Sequence, residues 1–511
     1  MKVFTLGLLA SMGMVGVGGA VYAVTPAGGF GSAQASSDRP NATESANTES
    51  GPTKRPSSTL GSSGRQSSGA SSTFTTGSTL RLEGRTGHQA MLGTSSNETF
   101  VMLELTGDDH ATGDAPTVAL SLVIDKSGSM RGTRLANALS AAERAVNQLR
   151  EGDSVNVVAF DTRADVVVPT TTVTAGTRQS ILQSIRGIAL GGDTCISCGL
   201  ESGLSELARL GSTSQSDAVK RVLLLSDGEA TAGVRDLPGF NSIAERARQS
   251  NVTITTIGVD VSYNEKIMST IALGANGRHY FVQNDSDLTR VFETEAATLT
   301  ASVAADAAAE LELAPGVELV QVFDRAFDRS GSRVRVSLGS FAKGERKTVL
   351  VKVRLPKSAD SSLKIADVRV GFRDLVDHQD HTDRGELSVE LVDDPAKVSD
   401  IDAVVLDRLQ RSQTASALRE ANELFSNGKS TEAQAVLDKA KGDLAANRTK
   451  AAAAAPSARA GQIDDSFQAQ EKDLDHAKTG FATPPAGAAP SPTAAPATQR
   501  QNASRAIDLA F

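Results

Sequence analysis

The feature that most constrains this chain is the regular alternation of short apolar runs with helical segments between residues 116 and 299. Runs such as VALSLVI (118–124) and RVLLLS (221–226) lack the polar alternation of a half-exposed strand. Intervening segments such as 134–149 carry apolar residues at helical spacing. Strands that are apolar on both faces need cover on both faces. The pattern therefore predicts a mostly parallel α/β sheet over 114–299, with helices on both sides.

The segments on either side of this region have a different pattern. Residues 300–396 contain short strand-like runs separated by turn residues, which is typical of an antiparallel β-sandwich. Residues 78–113 contain two similar runs, LRLEGR and TFVMLELTG. The first strand and the last helix of an open α/β domain can both end near the same edge of its sheet. We therefore expect the two flanks to pair in one β-sandwich into which the α/β domain is inserted.

The N-terminal region indicates export. Residues 1–23 combine Lys2 with an apolar run and the small-residue ending VYA, which is the pattern of a secretory signal. An uncleaved anchor is the competing interpretation, because the run is nearly long enough to span a bilayer. Residues 24–77 are mostly Ser, Thr, Gly and Pro, so we expect a disordered linker. Both interpretations predict a periplasmic, cell-surface or secreted protein that touches a membrane only through its N-terminal segment.

The C-terminal region has helical patterning. Residues 397–450 read as two amphipathic helices around an Asn427-Gly428 turn, which predicts a helical hairpin. A single helix pair cannot bury its own apolar face, so the hairpin should dock on the rest of the protein. Residues 451–511 are rich in Ala and Pro, and we expect a largely disordered tail with one short helix over 463–478.

Polar side chains follow the predicted strands at the edge where ligands bind in open α/β sheets. Asp125, Ser127 and Ser129 occupy alternate positions directly after a buried strand. Thr194 precedes a helix, and Asp227 follows the buried strand RVLLLS. Ligands in such sheets bind outside the carboxyl ends of the strands, so these five oxygen-bearing residues are candidates for one site. Taken singly, each of the Ser, Thr and Asp residues would serve equally well as a helix N-cap or turn residue.

The five residues, taken in order, resemble the metal-ion-dependent adhesion site of the von Willebrand factor type A domain. That family's site uses an Asp-x-Ser-x-Ser loop, a Thr from a second loop and an Asp from a third, and residues 116–299 contain all of them. The resemblance implies a Rossmann-like α/β fold, a bound divalent cation and a role in adhesion or protein–protein interaction. The flanking segment LGSFAKGERKTVLVKVRLP is also similar to exported bacterial proteins of the inter-alpha-trypsin-inhibitor-heavy-chain-like kind.

The chemistry of the five residues favours a hard cation. A set of oxygen ligands without imidazole or thiolate suits Mg²⁺ best, with Mn²⁺ or Ca²⁺ as alternatives. Because three of the five groups are neutral hydroxyls, the ion would stay under-neutralised. The resemblance implies that one coordination position is open to an Asp or Glu of a protein partner. Asp193 and Glu229 flank the set, as acids that support the site or as solvated loop residues.

The two cysteines of the chain, Cys195 and Cys198, directly follow Thr194. In an exported protein such a close pair is most often a disulfide. It would make the turn that presents Thr194 rigid, so its redox state could change metal affinity. A thioredoxin-like Cys-x-x-Cys is the less favoured alternative, because no thioredoxin pattern accompanies the pair.

Composition and motifs argue against two other function classes. The net charge of −8 comes without a basic stripe interleaved with aromatic residues, so nucleic acid is not an expected partner. No GxSxG, HExxH or P-loop sequence occurs, and no catalytic triad is evident. His378 and His381 lie among acidic residues, but an exposed hairpin loop explains that run better than a metal site.

The sequence therefore predicts a non-enzymatic exported protein that captures an acidic partner through a bound cation. Two alternatives remain open at this point. In the first, the protein is an envelope scaffold in which the metal is only structural and the sandwich or the helices bind the partner. In the second, less favoured alternative, the site performs metal-assisted hydrolysis.

Overall fold

A computed structural model describes residues 71–112, 116–212, 218–260, 263–481 and 494–510. The signal or anchor and most of the predicted linker lie outside these residues. The strands are β1 (Thr73–Thr76), β2 (Leu80–Thr86), β3 (Ala90–Leu92), β4 (Asn97–Gly107), β5 (Val118–Asp125), β6 (Ser154–Phe160), β7 (Ala164–Thr172), β8 (Val219–Ser226), β9 (Val252–Val259), β10 (His279–Val282), β11 (Ser302–Leu313), β12 (Glu318–Val322), β13 (Asp328–Ser330), β14 (Arg333–Ala342), β15 (Arg346–Leu355), β16 (Ser362–Asp374) and β17 (Asp380–Val392). The α-helices are α1 (Thr133–Gln148), α2 (Ala175–Arg186), α3 (Ile196–Ala208), α4 (Leu237–Gln249), α5 (Glu265–Gly274), α6 (Asp285–Thr300), α7 (Ala403–Ser426), α8 (Ser430–Ala454), α9 (Ala460–Gly480) and α10 (Ala494–Ala510).

The predicted fold class is confirmed for the central region. Its sheet has the strand order β10-β9-β8-β5-β6-β7, and every neighbouring pair is parallel except β6 and β7. Every residue of β5 and β6 is buried, as the unbroken apolar runs require. Helices α1, α2 and α6 pack on one face of the sheet, and α3, α4 and α5 pack on the other. This arrangement places the carboxyl ends of β5, β8 and β9 at a common edge.

Two sheets form a sandwich from both flanks of the central region, as the sequence predicts, and all their neighbouring strands are antiparallel except β17 and β3. The first has the order β1-β2-β4-β15-β12, and the second β13-β14-β11-β16-β17-β3. The long β4–β15 pairing joins chain segments before and after the α/β domain, with Val101 opposite Val351. Val101, Val351 and Phe341 belong to one buried apolar cluster between the sheets. The α/β domain is therefore an insertion between β4 and β11.

The sandwich begins earlier than the predicted boundary at residue 78. β1 starts at Thr73, inside the expected linker, and pairs with β2. Phe74 explains this difference, because its ring fits where Gly84 and Gly385 carry no side chain. A Cβ on Gly84 would lie 2.1 Å from the ring, and one on Gly385 would lie 2.2 Å from it. A single aromatic residue in a polar segment was too weak a signal to place the strand.

The predicted helical hairpin is part of a larger helical layer. α7 and α8 meet at Asn427 and Gly428, and Gly428 has a φ of 75°. Leu418 of α7 shares a buried cluster with Met102 and Leu350, so the helices cover the outer face of the first sandwich sheet. Within the described ranges, no helix combines the length and the apolarity that a bilayer crossing requires.

The prediction of a largely disordered tail over 451–511 is wrong for the two helices α9 and α10. The predicted short helix over 463–478 corresponds to the longer α9. The composition did not predict α10, because that helix packs through polar side chains as well as Ala and Ile. Asn422 of α7 donates to the Gln499 carbonyl at 2.8 Å and accepts from Asn502 Nδ2 at 2.9 Å. Residues 482–493 of the predicted tail lie outside the described residues.

A buried histidine between β9 and β10 makes the stability of the fold depend on pH. His279 is fully buried, its Nδ1 lies 2.9 Å from Thr256 Oγ1, and its Nε2 lies 3.0 Å from Tyr263 Oη. Burial lowers the pKa of His279 to about 3, and a hydrogen bond to the Thr256 backbone opposes this shift. The unfolded chain, with an ordinary histidine pKa of about 6.5, therefore binds this proton first as the pH falls.

We expect the stabilising contribution of neutral His279 to be complete above about pH 6.5 and to decline as the pH falls toward 3. Between pH 7 and pH 5, wild type should lose about 2 kcal/mol more unfolding free energy than His279→Gln. Urea titrations of both proteins at the two pH values measure this difference. Parallel pH dependences would show that His279 does not control acid stability.

Candidate metal centre

Asp125 is the last residue of β5, and hydrogen bonds hold both of its carboxylate oxygens. The Ser127 backbone N–H donates to Oδ1 at 2.8 Å, and the Ser226 hydroxyl donates to Oδ2 at 2.5 Å. Asp125 and Ser226 are both fully buried. The first turn after β5 and the end of the neighbouring β8 therefore fix the orientation of this carboxylate.

The two serines of the first loop connect Asp125 to the third loop. Ser127 Oγ lies 2.9 Å from Ser129 Oγ, and the Ser129 hydroxyl donates to Asp227 Oδ1 at 2.7 Å. Asp227 directly follows β8 and is fully buried. Four of the five predicted ligands thus form one continuous chain of hydrogen bonds across the sheet edge.

Thr194 completes the set from the second loop. A Cβ placed on Gly228 would lie 3.3 Å from both Ser129 Oγ and Thr194 Oγ1, so these hydroxyls face the same small region. The second loop packs on the first, because the Gly128 N–H donates to the Gly192 carbonyl at 3.0 Å. The Thr231 N–H fastens the third loop by donating to the Thr194 carbonyl at 2.9 Å. The structure thus brings all five predicted residues together from three loops.

The electrostatics of these residues fit a divalent cation. Burial raises the pKa of Asp125 to about 6, and the nearby Asp227 adds to this shift while serine hydrogen bonds oppose it. Burial also raises the pKa of Asp227, opposed by Ser129 and Arg134. Arg134 pairs with Asp227, and a hard cation in this oxygen-lined pocket would add positive charge beside both buried carboxylates. Ser127, Ser129, Thr194 and the two aspartates would hold that ion.

Sequence reasoning missed three side chains that support this site. Ser226 bonds to Asp125, whereas Arg134 and Asp260 form an ion pair beside Asp227. Ser226 directly precedes Asp227 at the end of a strand, and this position could have identified it from the sequence as part of the site. The pairing of Arg134 with Asp260 joins residues 126 positions apart, which no local pattern reveals.

The flanking acids lie outside the group of five. Asp193 and Glu229 are both exposed. The Asp193 backbone N–H donates to Thr162 Oγ1 at 3.0 Å, and Glu229 accepts a hydrogen bond from Asn264 at 3.5 Å. Both therefore occupy the rim of the site.

Cys195 and Cys198 form a disulfide at the start of α3, immediately after Thr194. Cys195 is fully buried, and a Cβ on Gly233 would lie 2.5 Å from its sulfur. The Val234 N–H donates to Ser197 Oγ at 3.0 Å, so the third loop covers the disulfide. The covalent link therefore lies between two of the three loops that build the site.

Replacing both cysteines by Ala should affect the site more than the global fold. The bridge closes a very short loop, so its loss should cost at most about 2 kcal/mol of unfolding free energy. The backbone that presents Thr194 would become freer, and we expect Mg²⁺ affinity to fall several-fold. Calorimetric Mg²⁺ titration of the double variant measures this change, and unchanged affinity would separate the disulfide from the metal site.

The acidic histidine run spans the turn between β16 and β17, as expected for a hairpin, but His381 lies in β17 opposite Phe372 and so the loop is shorter than the run. His381 Nε2 lies 2.7 Å from Asp377 Oδ2, and this contact raises the pKa of His381. Asp374 is close enough to contribute a third ligand atom. Its Oδ1 already accepts from the Val376 N–H at 2.7 Å, which is an ordinary turn contact.

Comparisons with known proteins identify the domain in which these residues lie. Residues 120–294 match the family model for the von Willebrand factor type A domain. Protein sll0103 of Synechocystis is 27% identical over 291 residues, which cover 55% of this chain and 67% of that protein. YfbK of Escherichia coli K12 is 26% identical over 51% of this chain and 46% of its own length. Inter-alpha-trypsin inhibitor heavy chain H2 of Mus musculus is 29% identical over 34% of this chain and 19% of its own length.

Two solved structures share the fold beyond the central domain. A von Willebrand factor type A protein from Catenulispora acidiphila has a TM-score of 0.61 at 18% identity, covering 81% of this chain and 91% of its own. The ArnB paralog VWA2 from Sulfolobus acidocaldarius has a TM-score of 0.56 at 17% identity, covering 85% of this chain and its full length. These alignments extend well past residues 120–294, so the shared fold includes parts of the flanking regions.

Proposed function

We propose that this chain, a von Willebrand factor type A domain protein, binds a divalent cation and uses it to capture a protein partner. Its relatives include YfbK, sll0103 and the inter-alpha-trypsin inhibitor heavy chains. The ion is held by Asp125, Ser127, Ser129, Thr194 and Asp227, whose ligand chemistry favours Mg²⁺. The partner offers an Asp or Glu side chain to it. Domains of this family are typically adhesion or protein-binding modules, and this chain acts in adhesion or envelope assembly.

The observation that carries the proposal is the convergence of five oxygen-bearing side chains from three separate loops. The chain of contacts from Asp125 through Ser129 to Asp227 has no hydrophobic packing role, since its members place polar atoms at the edge of the sheet. Helix caps explain single residues of this kind, but they do not explain two buried carboxylates bridged by two serines.

Each group has a distinct task in capture. The hydroxyls of Ser127, Ser129 and Thr194 present neutral oxygens, and the two carboxylates carry the negative charge that retains the ion. A bound cation supplies a Lewis-acid position that an incoming carboxylate oxygen can occupy. Ser226 and the backbone of the first loop keep Asp125 oriented while the partner's carboxylate binds. A carboxylate anchored in this way can dominate an otherwise modest interface.

We further propose that the protein is exported, in keeping with its N-terminal sequence, and that it acts by binding and not by catalysis. The scaffold alternative draws support from the sandwich and the helical layer, which together exceed the α/β domain in length. In that alternative the partner binds these layers, and its binding does not depend on the metal site.

A binding experiment with paired peptides separates these functions. Immobilised peptides containing Asp or Glu, each matched by its Asn or Gln counterpart, are probed with the full chain in Mg²⁺ or EDTA. Capture that requires both the acid and Mg²⁺ supports the proposal. Calorimetry that detects no Mg²⁺ binding overturns it, and partner capture that persists in EDTA favours the scaffold. Mg²⁺-dependent hydrolysis of ester or phosphoester probes would instead assign an enzyme.

A further inference from the structure

One arginine reaches into the metal centre without belonging to its predicted ligands. Arg134, the second residue of α1, donates from Nη1 to Asp227 Oδ2 at 3.0 Å and to the Ser129 carbonyl at 2.9 Å. The side chain of Asp227 is fully buried, whereas that of Arg134 is one-third exposed. The guanidinium therefore supplies positive charge to a buried carboxylate of the site from its solvent side.

The other end of the same guanidinium is held by a carboxylate outside the site. Arg134 Nη2 pairs with Asp260, whose side chain is 38% exposed. Asp260 directly follows β9 and has a φ of 63°, and its backbone N–H donates to the Val282 carbonyl at 3.0 Å. This contact ties the backbone of Asp260 to β10, at the position from which its side chain pairs with the arginine.

A divalent cation and Arg134 would both be attracted to Asp227. The ion and the guanidinium carry charge of the same sign, so each weakens the binding of the other when both are near one carboxylate. Asp260 can keep its ion pair with Arg134 when the contact between Arg134 and Asp227 weakens. Arg134 is therefore an internal cation that Asp227 and Asp260 can share.

We propose that Arg134 is a resident counter-cation that sets the metal affinity of the site, and that Asp260 draws it away from Asp227 as the divalent ion enters. This inference rests on the proposed function, because it concerns the regulation of the same site. Arg134 stabilises the metal-free protein by pairing with Asp227, and it thereby lowers the affinity for Mg²⁺. Asp260 limits that effect by holding the other side of the guanidinium.

The proposal predicts opposite effects for the two members of the ion pair. Arg134→Gln should bind Mg²⁺ roughly tenfold more tightly, because the competing charge is gone. Asp260→Asn should bind Mg²⁺ several-fold more weakly, because Arg134 then has Asp227 as its remaining carboxylate among these contacts. In the double variant the weakening by Asp260→Asn should disappear, since it acts through Arg134.

Calorimetric Mg²⁺ titration and thermal unfolding with and without Mg²⁺ test this cycle on the full chain. Arg134→Gln should lower the Tm in EDTA and enlarge the increase in Tm that Mg²⁺ causes. Arg134→Lys keeps the charge and should stay close to wild type in affinity. Arg144→Gln is the matched control, because Arg144 also lies on α1 but pairs with Glu293 at an exposed position, 3.6 Å apart.

The outcomes separate this proposal from the proposed function. If wild type does not bind Mg²⁺, the proposed function fails and the inference fails with it. If wild type binds but Arg134→Gln binds more weakly, Arg134 orients Asp227 for the metal and the counter-cation proposal is overturned. An Asp260→Asn effect that persists in the double variant also overturns it. Should Arg134→Gln not fold, Asp260→Asn still decides the sign of the coupling, because unchanged or tighter Mg²⁺ binding by that variant would overturn the proposal.

Discussion

If Mg²⁺ binds at the proposed site, Thr194→Ala is expected to abolish most of the stabilisation that the ion gives the protein. The hydroxyl of Thr194 faces the same region as that of Ser129, and an alanine in its place offers no side-chain oxygen to an ion there. We expect the Mg²⁺ affinity to fall by roughly a hundredfold, at the upper end of losses seen for groups that position metal ligands. The Mg²⁺-dependent increase in Tm, measured from micromolar to millimolar Mg²⁺, should shrink accordingly.

The same substitution should leave the metal-free fold nearly intact. The Thr194 backbone, not its hydroxyl, makes the contacts with Thr231 that fasten the loops. The unfolding free energy in EDTA should therefore change by less than about 1 kcal/mol. Thr298→Ala is the control, since that hydroxyl donates to the Thr294 carbonyl on the exposed face of α6. Equal Mg²⁺ responses in wild type and Thr194→Ala would remove Thr194 from the metal site.

The five site residues could be predicted from sequence because their positions follow from the topology of the sheet. Asp125 and Asp227 end neighbouring parallel strands, which necessarily meet at one edge. The contacts of Arg134 could not be predicted in the same way. Its partner Asp260 ends a third strand, and their distance depends on the side-chain path of a long arginine and a residue with positive φ. Sequence patterns predict where backbone elements lie, whereas such side-chain pairings are visible only in the three-dimensional structure.

The fold was likewise predictable in segments with a clear hydrophobic pattern and not in segments without one. Strands β4 and β15 were predictable because both are apolar-rich runs bounded by turn residues, and the pairing of the two flanks followed from the expected insertion of the α/β domain. Helix α10 was not, because a helix rich in Ala, Gln and Asn has little amphipathic signal. Its position depends on polar contacts such as those of Asn422, whose partners lie 77 and 80 residues away. Composition indicated disorder there because it cannot register specific buried hydrogen bonds.

Arg408→Ala is expected to be the most destabilising single substitution considered for this chain. Arg408 is 1% exposed, although it carries a full charge, and it lies where α7, α10 and the sandwich meet. It contacts Asp324 at 3.4 Å, Ser412 Oγ at 2.6 Å and the Ala510 carbonyl at 2.8 Å. Burial lowers the pKa of Arg408 to about 10, so it stays charged at neutral pH. Removing it leaves a buried carboxylate poorly compensated, at a cost of about 3–5 kcal/mol.

A second arginine on the same carboxylate provides the matched control for this prediction. Arg419 pairs with Asp324 at 3.3 Å, but 43% of its side chain is exposed. Solvent screens this pair, so Arg419→Ala should cost less than about 1 kcal/mol. Urea unfolding followed by circular dichroism measures both variants, and the Arg408→Ala midpoint should be much lower. Because Arg408 holds the Ala510 carbonyl, α10 should also lose hydrogen-exchange protection in that variant alone. Similar midpoints for the two variants would mean that helix docking depends on apolar burial such as that of Leu418 and not on the buried charge.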